Sequence, residues 1–257
     1  MRINTNVGAL NSSKNAFINT MATEGSMRKL SSGLRISRAS DDAAGLSIAN
    51  KLRAQSRSLT VASANAEQGN AMLQIAEGSA STIQRILERQ KELIIQREST
   101  GNNASVSTTL NTEISTLSSE VGRIISSTNF QGSTVFASLD FQVSDGTSGG
   151  QVTVNASLAA TSVSLAGTAT IGNVDTALDA INSVLASIGA GQNRLDYTVQ
   201  NLKSAVVNVK AAESTIRDVD MAEEMANYTK NNILTQAAQA MLAQANQSSQ
   251  SVLSLLR

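Results

Sequence analysis

From Val174 the apolar positions run Val174, Leu178, Ile181, Leu185, Ile188, Leu195, Val199, Leu202, Val206, Val209 and Ile216, with Gln192 and Glu213 filling the two remaining steps. The steps alternate between four and three residues, which is the a/d seam of a heptad helix sustained well past the length needed to assign one. A second seam reads Leu59, Ala62, Ala66, Gly69, Leu73, Ala76, Ala80, Ile83, Leu87, Gln90, Ile94, and a third, shorter one reads Leu110, Ile114, Leu117, Val121, Ile124. Three such helices predict a bundle whose members, at roughly 1.5 Å per residue, are tens of ångströms long.

The chain ends carry the same period. Ile3, Val7, Leu10, Phe17 and Met21 form one stripe, interrupted by Lys14; Leu234, Ala238, Met241, Ala245, Ser248, Val252 and Leu255 form another, with Leu256 beside it. These two stripes predict that the first and last segments pair with each other, and that their large apolar residues serve as self-assembly seams. Between the helices, "SSGLRISRASDDAAG" reads as a connector with Gly33 and Gly45 at its ends and Asp41 and Asp42 as caps for a helix starting near Ala43. "STGNNAS" is a loop between helices. Residues 129–173 hold three of the four Phe, alternating Val and Thr, a Gly pair and almost no charge, which predicts short strands and hairpins. Asn173 and Asp175 read as the start of the next helix.

Composition changes the picture at one point: there is little from which to build a thick core. Aromatics are 2%, and Pro, Cys, Trp and His are absent. Seams of Ala and Ser stabilise weakly at roughly 25 cal/mol per Å² of apolar area. Long helices with thin contacts suit this composition better than a compact enzyme.

Charge separates the middle of the chain from its ends. Residues 85–98 are dense in Arg, Lys and Glu, with Arg85–Glu88 and Arg89–Glu92 spaced for i,i+3 pairs, whereas Asn231 to Leu256 has no charged side chain. A helix without charges is marginal alone, yet its many Gln and Asn argue against lipid. It makes sense when copies of itself surround it, so both ends are expected to order on assembly. The twenty basic and twenty acidic residues cancel. That argues against nucleic acid, which rewards clustered Lys and Arg, and lowers repulsion between copies. No secretory h-region and no membrane-spanning run is visible.

Catalytic chemistry has little to work with. Without His or Cys the usual bases and metal ligands are missing, and the insert offers only Asp140 and Asp145, so neither an enzyme nor a cofactor is expected. Asp41–Asp42 reads as a cap. "GAGQNR" lies inside a heptad helix and lacks the strand and third Gly of a dinucleotide site.

Five strings, "MRINTNVGALNSSKNAF", "LSSGLRISRASDDAAGLSIANKLRAQ", "ANAEQGNAMLQIAEGS", "IGAGQNRLDYTVQNL" and "ILTQAAQAMLAQANQSSQSVLSLLR", together resemble bacterial flagellin. The resemblance covers all but about forty residues of the β insert. It implies a subunit of the flagellar filament outside the cell, exported unfolded through the flagellar type III apparatus. The implied partners are further copies of itself, a flagellin export chaperone that binds the C-terminal segment, and the filament cap and hook–filament junction proteins. It also implies recognition by the host Toll-like receptor for flagellin through Arg89, Leu93 and Glu113. A rod-like secretion protein would share the terminal heptads, but not the "SGLRI" and "LAQANQ" strings.

The fold expected is therefore mainly α: an elongated antiparallel heptad bundle with a small β-hairpin insert near 130–172. Its N- and C-terminal helices pair as a coiled coil. The domains expected are 1–44 with 218–257 as the inner terminal unit, and 45–217 as a helical rod without large outer domains. Gln90 stands in the long seam where an apolar residue is commoner, which predicts looser packing there.

Overall fold

The computed structural model describes residues 6–99, 103–144, 146, 150–158 and 170–255, except for the side chains of 249–255. Within them the order is α1 (Val7–Ser32), α2 (Ala43–Glu98), α3 (Ala104–Ser127), β1 (Asn129–Phe130), β2 (Ser133–Thr134), β3 (Ser138–Gln142), β4 (Gln151–Asn155), α4 (Ile171–Arg217) and α5 (Met221–Leu255). They divide into two compact units, one of residues 55–208 and one of 1–54 with 209–257. The first is shorter than the rod expected from sequence (45–217), because the opening turns of α2 and the closing turns of α4 belong to the other unit.

The unit 55–208 holds a three-helix bundle. Its α2 and α3 run antiparallel, since Gln90 reaches the Ile114 carbonyl near the middle of α3 and Arg97, further along α2, reaches the earlier Asn111. Its α2 and α4 are antiparallel too: Lys91 meets Asp175 at 2.6 Å, Gln192 meets Glu77 at 2.9 Å, and Lys203 meets Glu67 at 2.9 Å. The predicted α2 seam is buried from Ala62 to Ile94 and partly buried at Leu59, and every α4 seam position is at least partly buried. Ala177, Val184 and Gly191 widen the buried face of α4. A heptad seam buried on two sides becomes a broad stripe, as a bundle requires.

Two hairpins close one side. In β1–β2 the turn residues Gln131 and Gly132 both have positive φ, 50° and 84°, the geometry that matches the twist of the flanking strands. In β3–β4 Leu139 pairs with Val154 and Phe141 with Val152. The alternation sends Leu139, Val152 and Val154 into the core. Two glycines admit this hairpin. A Cβ on Gly69 would stand 2.7 Å from the Phe141 ring, and one on Gly191 would stand 2.6 Å from Val154. Gly69 in the α2 seam and Gly191 in "GAGQNR" are thus close-approach sites for strands.

Gln90 corrects an expectation. It is fully buried, and its Nε2 donates to the Ile114 carbonyl at 3.2 Å and to Ser118 Oγ at 3.1 Å. Its Oε1 is buried without a partner. The amide bridges α2 to α3 rather than loosening them.

The start of α4 also differs slightly from expectation. The helix begins at Ile171, and the Thr170 carbonyl accepts from Asn173 and Val174, so Asn173 lies inside the first turn.

The unit 1–54 with 209–257 is built differently. Among the described residues its only buried apolar side chains are Ile36, Ala49 and Ala238, whereas the 29-residue buried cluster lies wholly in the other unit. Here α1 and α5 pack antiparallel. Asn6 Nδ2 donates to the Ala245 carbonyl at 2.9 Å near one end, and Lys29 pairs with Glu224 at 3.6 Å near the other.

Candidate assembly surface

The helices of this unit are fixed by caps and a short chain pairing. Asn6 caps α1, its side chain accepting from the Ala9 amide at 3.0 Å. Gly33 ends α1 in the left-handed region at φ 70°, with its N–H on the Lys29 carbonyl. The next residues lie against the α4–α5 joint. The Arg35 N–H donates to the Arg217 carbonyl at 2.7 Å, the Arg35 guanidinium reaches the Ile216 carbonyl at 2.7 Å, and the Val219 N–H donates to the Gly33 carbonyl at 3.1 Å. Ile36, the residue after Arg35, is buried. Glu213, the polar break in the α4 seam, accepts from Arg53 at 3.1 Å and pairs with Arg217 at 3.7 Å.

The two aspartates of the connector have separate tasks. Asp42 caps α2, accepting from the Gly45 amide at 2.9 Å. A Cβ on Gly45 would crowd Asp42 and stand 2.8 Å from Ile36, so this position needs glycine for space. Asp41 accepts from the Arg38 amide at 2.9 Å and the Ser37 amide at 3.1 Å. These two amides, Arg38's first, hold its carboxyl below the usual carboxylate value.

The seam between α1 and α5 shares only Ala238 and Ala245 with the predicted stripes. On α1 the covered positions include Ala9, Ser12, Ala16, Asn19, Thr23, Ser26 and Leu30; on α5 they include Glu224, Tyr228, Asn231, Thr235, Ala238, Leu242 and Ala245. Both follow the three-four step, but mostly with small and polar side chains. Sequence reasoning missed this seam because it lacks hydrophobic contrast; its only signal is the spacing of small residues, which let two helices approach closely.

The predicted stripe faces outward instead. Val7, Leu10, Phe17 and Met21 are 54–65% exposed, and on α5 Leu234 and Met241 are exposed while Ala238 and Ala245 are covered. The expectation that these stripes pair α1 with α5 is therefore corrected: small residues pair the helices, and the large apolar groups are left over. Ile3 and Leu256 lie outside the described residues, as do the side chains of Val252 and Leu255.

Together α1 and α5 expose eleven large apolar side chains among the described residues. Covering the roughly half of each side chain that is exposed would stabilise by about 1 kcal/mol per residue. An apolar surface of this extent marks an interaction face.

The α2–α3 surface gathers two of its three predicted residues. Arg89 pairs with Glu92 at 3.0 Å and with Glu113 at 3.4 Å. Leu93 is 1% exposed and belongs to the core, so the expectation that it stands beside them on the surface is corrected. Leu93 follows the buried Gln90 by three residues and adjoins the buried Ile94, which places it on the inward face of α2. Arg85 donates to Thr82 rather than pairing with Glu88, which accepts from Gln84.

Asp140 is occupied by the Thr153 hydroxyl at 2.6 Å, and Asp145 lies outside the described residues. Among the described residues no acidic, His or Cys cluster could hold a metal ion, and no helix is long and apolar enough to cross a membrane.

Comparison with known proteins decides the family. The bacterial flagellin N-terminal helical region matches residues 3–140, and the bacterial flagellin C-terminal helical region matches 171–256. The chain belongs to the bacterial flagellin family. It is 42% identical to a flagellin of Halalkalibacterium halodurans and 40% identical to a flagellin of Bacillus subtilis, each comparison covering 100% of both chains. It is 38% identical to the flagellar filament 33 kDa core protein of Treponema phagedenis, again over 100% of both. The unmatched stretch between the two flagellin regions contains β4 and begins after Asp140. The two matched regions contain α1 and α5, so the helix pair that exposes the apolar stripes is itself flagellin sequence.

Proposed function

We propose that this flagellin is a structural, non-enzymatic subunit that polymerises into the extracellular flagellar filament and so serves swimming motility. The observation that carries the reading is the division of labour between the units. One has a buried core, while the other holds its helices together through Ala, Ser, Asn and Thr and keeps its large apolar side chains outside. A second copy of the same helix pair supplies the missing apolar surface. Full-length similarity to flagellins and to a filament core protein supports the same role.

Finer partners follow from the same surface. The outward stripe of α5 offers a helix-in-groove contact for an export chaperone, which would shield it until secretion. Export unfolded through the flagellar type III apparatus fits a chain without disulfides. Addition at the filament end brings contact with the cap protein, and the hook–filament junction protein occupies the opposite end. For the host Toll-like receptor, Arg89 and Glu113 supply the exposed contact, and Leu93 supports it from beneath. The unit 1–54 with 209–257 acts as the inner coiled-coil domain in this reading, and 55–208 as the rod.

The test is a pair of outward substitutions, Leu10→Asn with Phe17→Asn. Both side chains face away from the α1–α5 seam, so helicity of the soluble chain should be unchanged while filament elongation is lost. Normal filaments from this variant would contradict the role of the stripe.

A further inference from the structure

We propose that the exposed methionines of α1 and α5 form an oxidation-sensitive site that governs whether an unpolymerised chain can join a filament. Two independent observations meet here. The chain has no Cys, Trp or His, so the methionine thioethers are its most readily oxidised side chains. Met21, Met27, Met221, Met225 and Met241 all lie on α1 and α5 and are 49–61% exposed, whereas Met72 sits in the core of the other unit at 7%. The oxidisable groups are thus concentrated on the two helices that carry the outward apolar stripes, and two of them stand on the stripes themselves. Met21 continues the stripe of Leu10 and Phe17, and Met241 that of Leu234. The inference rests on the polymerising role proposed above.

The co-reactant is a hydroperoxide. The thioether sulfur attacks the outer peroxide oxygen, the O–O bond breaks, an S–O bond forms, and water or an alcohol leaves. Sulfur is oxidised by two electrons and the peroxide is reduced by two. The product sulfoxide is polar and chiral where the thioether was apolar and adaptable. Buried in a subunit contact without a donor, each sulfoxide oxygen weakens addition by about tenfold or more. Methionine sulfoxide reductases reverse the change, so the site is switchable. Within a filament the same sulfurs are covered, which confines the sensitivity to free subunits.

The experiment treats the soluble full chain with graded hydrogen peroxide. It maps sulfoxide at each methionine by peptide mass spectrometry and follows elongation from filament fragments in the same samples. The five exposed methionines should oxidise at least about tenfold faster than Met72, as their accessibility requires, and elongation should fall in step. A variant with all five changed to Leu should elongate after the dose that stops the wild type. Sulfoxide reductase should restore the wild type, an arm that needs no variant to fold. Equal oxidation of Met72, loss of elongation in the Leu variant, or normal elongation by fully oxidised wild type would each overturn the proposal. An untreated chain that does not elongate would overturn the filament role, and the proposal with it. The mapped rates and the untreated control together show which has failed.

Discussion

Gln90 is a single residue on which two opposing effects can be weighed. Its Nε2 makes two hydrogen bonds to α3, while its Oε1 is buried with none. A buried acceptor left unpaired offsets most of what the donor gains. Gln90→Leu should therefore leave stability within about 1 kcal/mol of the wild type or above it, while Gln90→Ala should lose about 2–4 kcal/mol through the cavity left in the seam. Urea denaturation separates the two, and a loss in Gln90→Leu as large as in Gln90→Ala would show that the amide bridge dominates.

Glycines supply a second residue-scale contrast. Gly69→Ala and Gly191→Ala push a methyl against Phe141 and Val154, and should destabilise by about 1–3 kcal/mol despite better helix propensity. Gly78 and Gly189 have open space around the same atom, so Ala there should stabilise by about 0.5–1 kcal/mol. Equal signs at all four positions in a thermal melt would contradict the close-approach account. Asp41 adds a pH test. Its folded-state pKa lies below the ordinary 3.8, so its contribution is present above that value and is lost as pH falls through the folded one. Protection of the Ser37 and Arg38 amides should fade below pH 3.8, not between neutrality and pH 5, and Asp41→Ala should abolish that dependence.

At the scale of elements, legibility followed hydrophobic contrast. In α2, α3 and α4 the apolar residues recur against a polar background, so the heptads could be read and their positions are covered. In α1 and α5 the periodicity is real, but the large residues that carry it do not join the two helices to each other. Phe17 and Met21 repeat because something must cover them, and spacing alone does not say whether that is another segment of the chain or another molecule. The pairing of Arg35 with Arg217 and of Val219 with Gly33 through backbone atoms left no side-chain pattern to read. The fit of Phe141 over Gly69 is a contact between distant segments that no local spacing encodes.

The α1–α5 seam also makes a claim of its own. It joins two helices through few buried apolar atoms, so it should open far more easily than the bundle core. In the isolated chain, amides of Val7–Ser32 and of 221–242 should exchange about a hundredfold faster or more than those of 83–94. Equal protection would mean that the terminal helices are stable without neighbours.

At the scale of the whole molecule, net charge near zero, scarce aromatics and outward apolar stripes point the same way. The chain is incompletely satisfied as a single copy, and a copy of itself is the surface that best completes it. The charged residues concentrate in the last turns of α2 and keep that stretch in water. Self-association then supplies the apolar burial that small seam residues cannot.

The most direct measurement adds short fragments of native filament to purified full-length chain and follows length by electron microscopy. The account requires that the fragments lengthen until free subunit is depleted, and that the Leu10→Asn, Phe17→Asn variant leaves them unchanged. A full-length chain that stays monodisperse beside intact fragments, or a variant that extends them as well as the wild type, would contradict it.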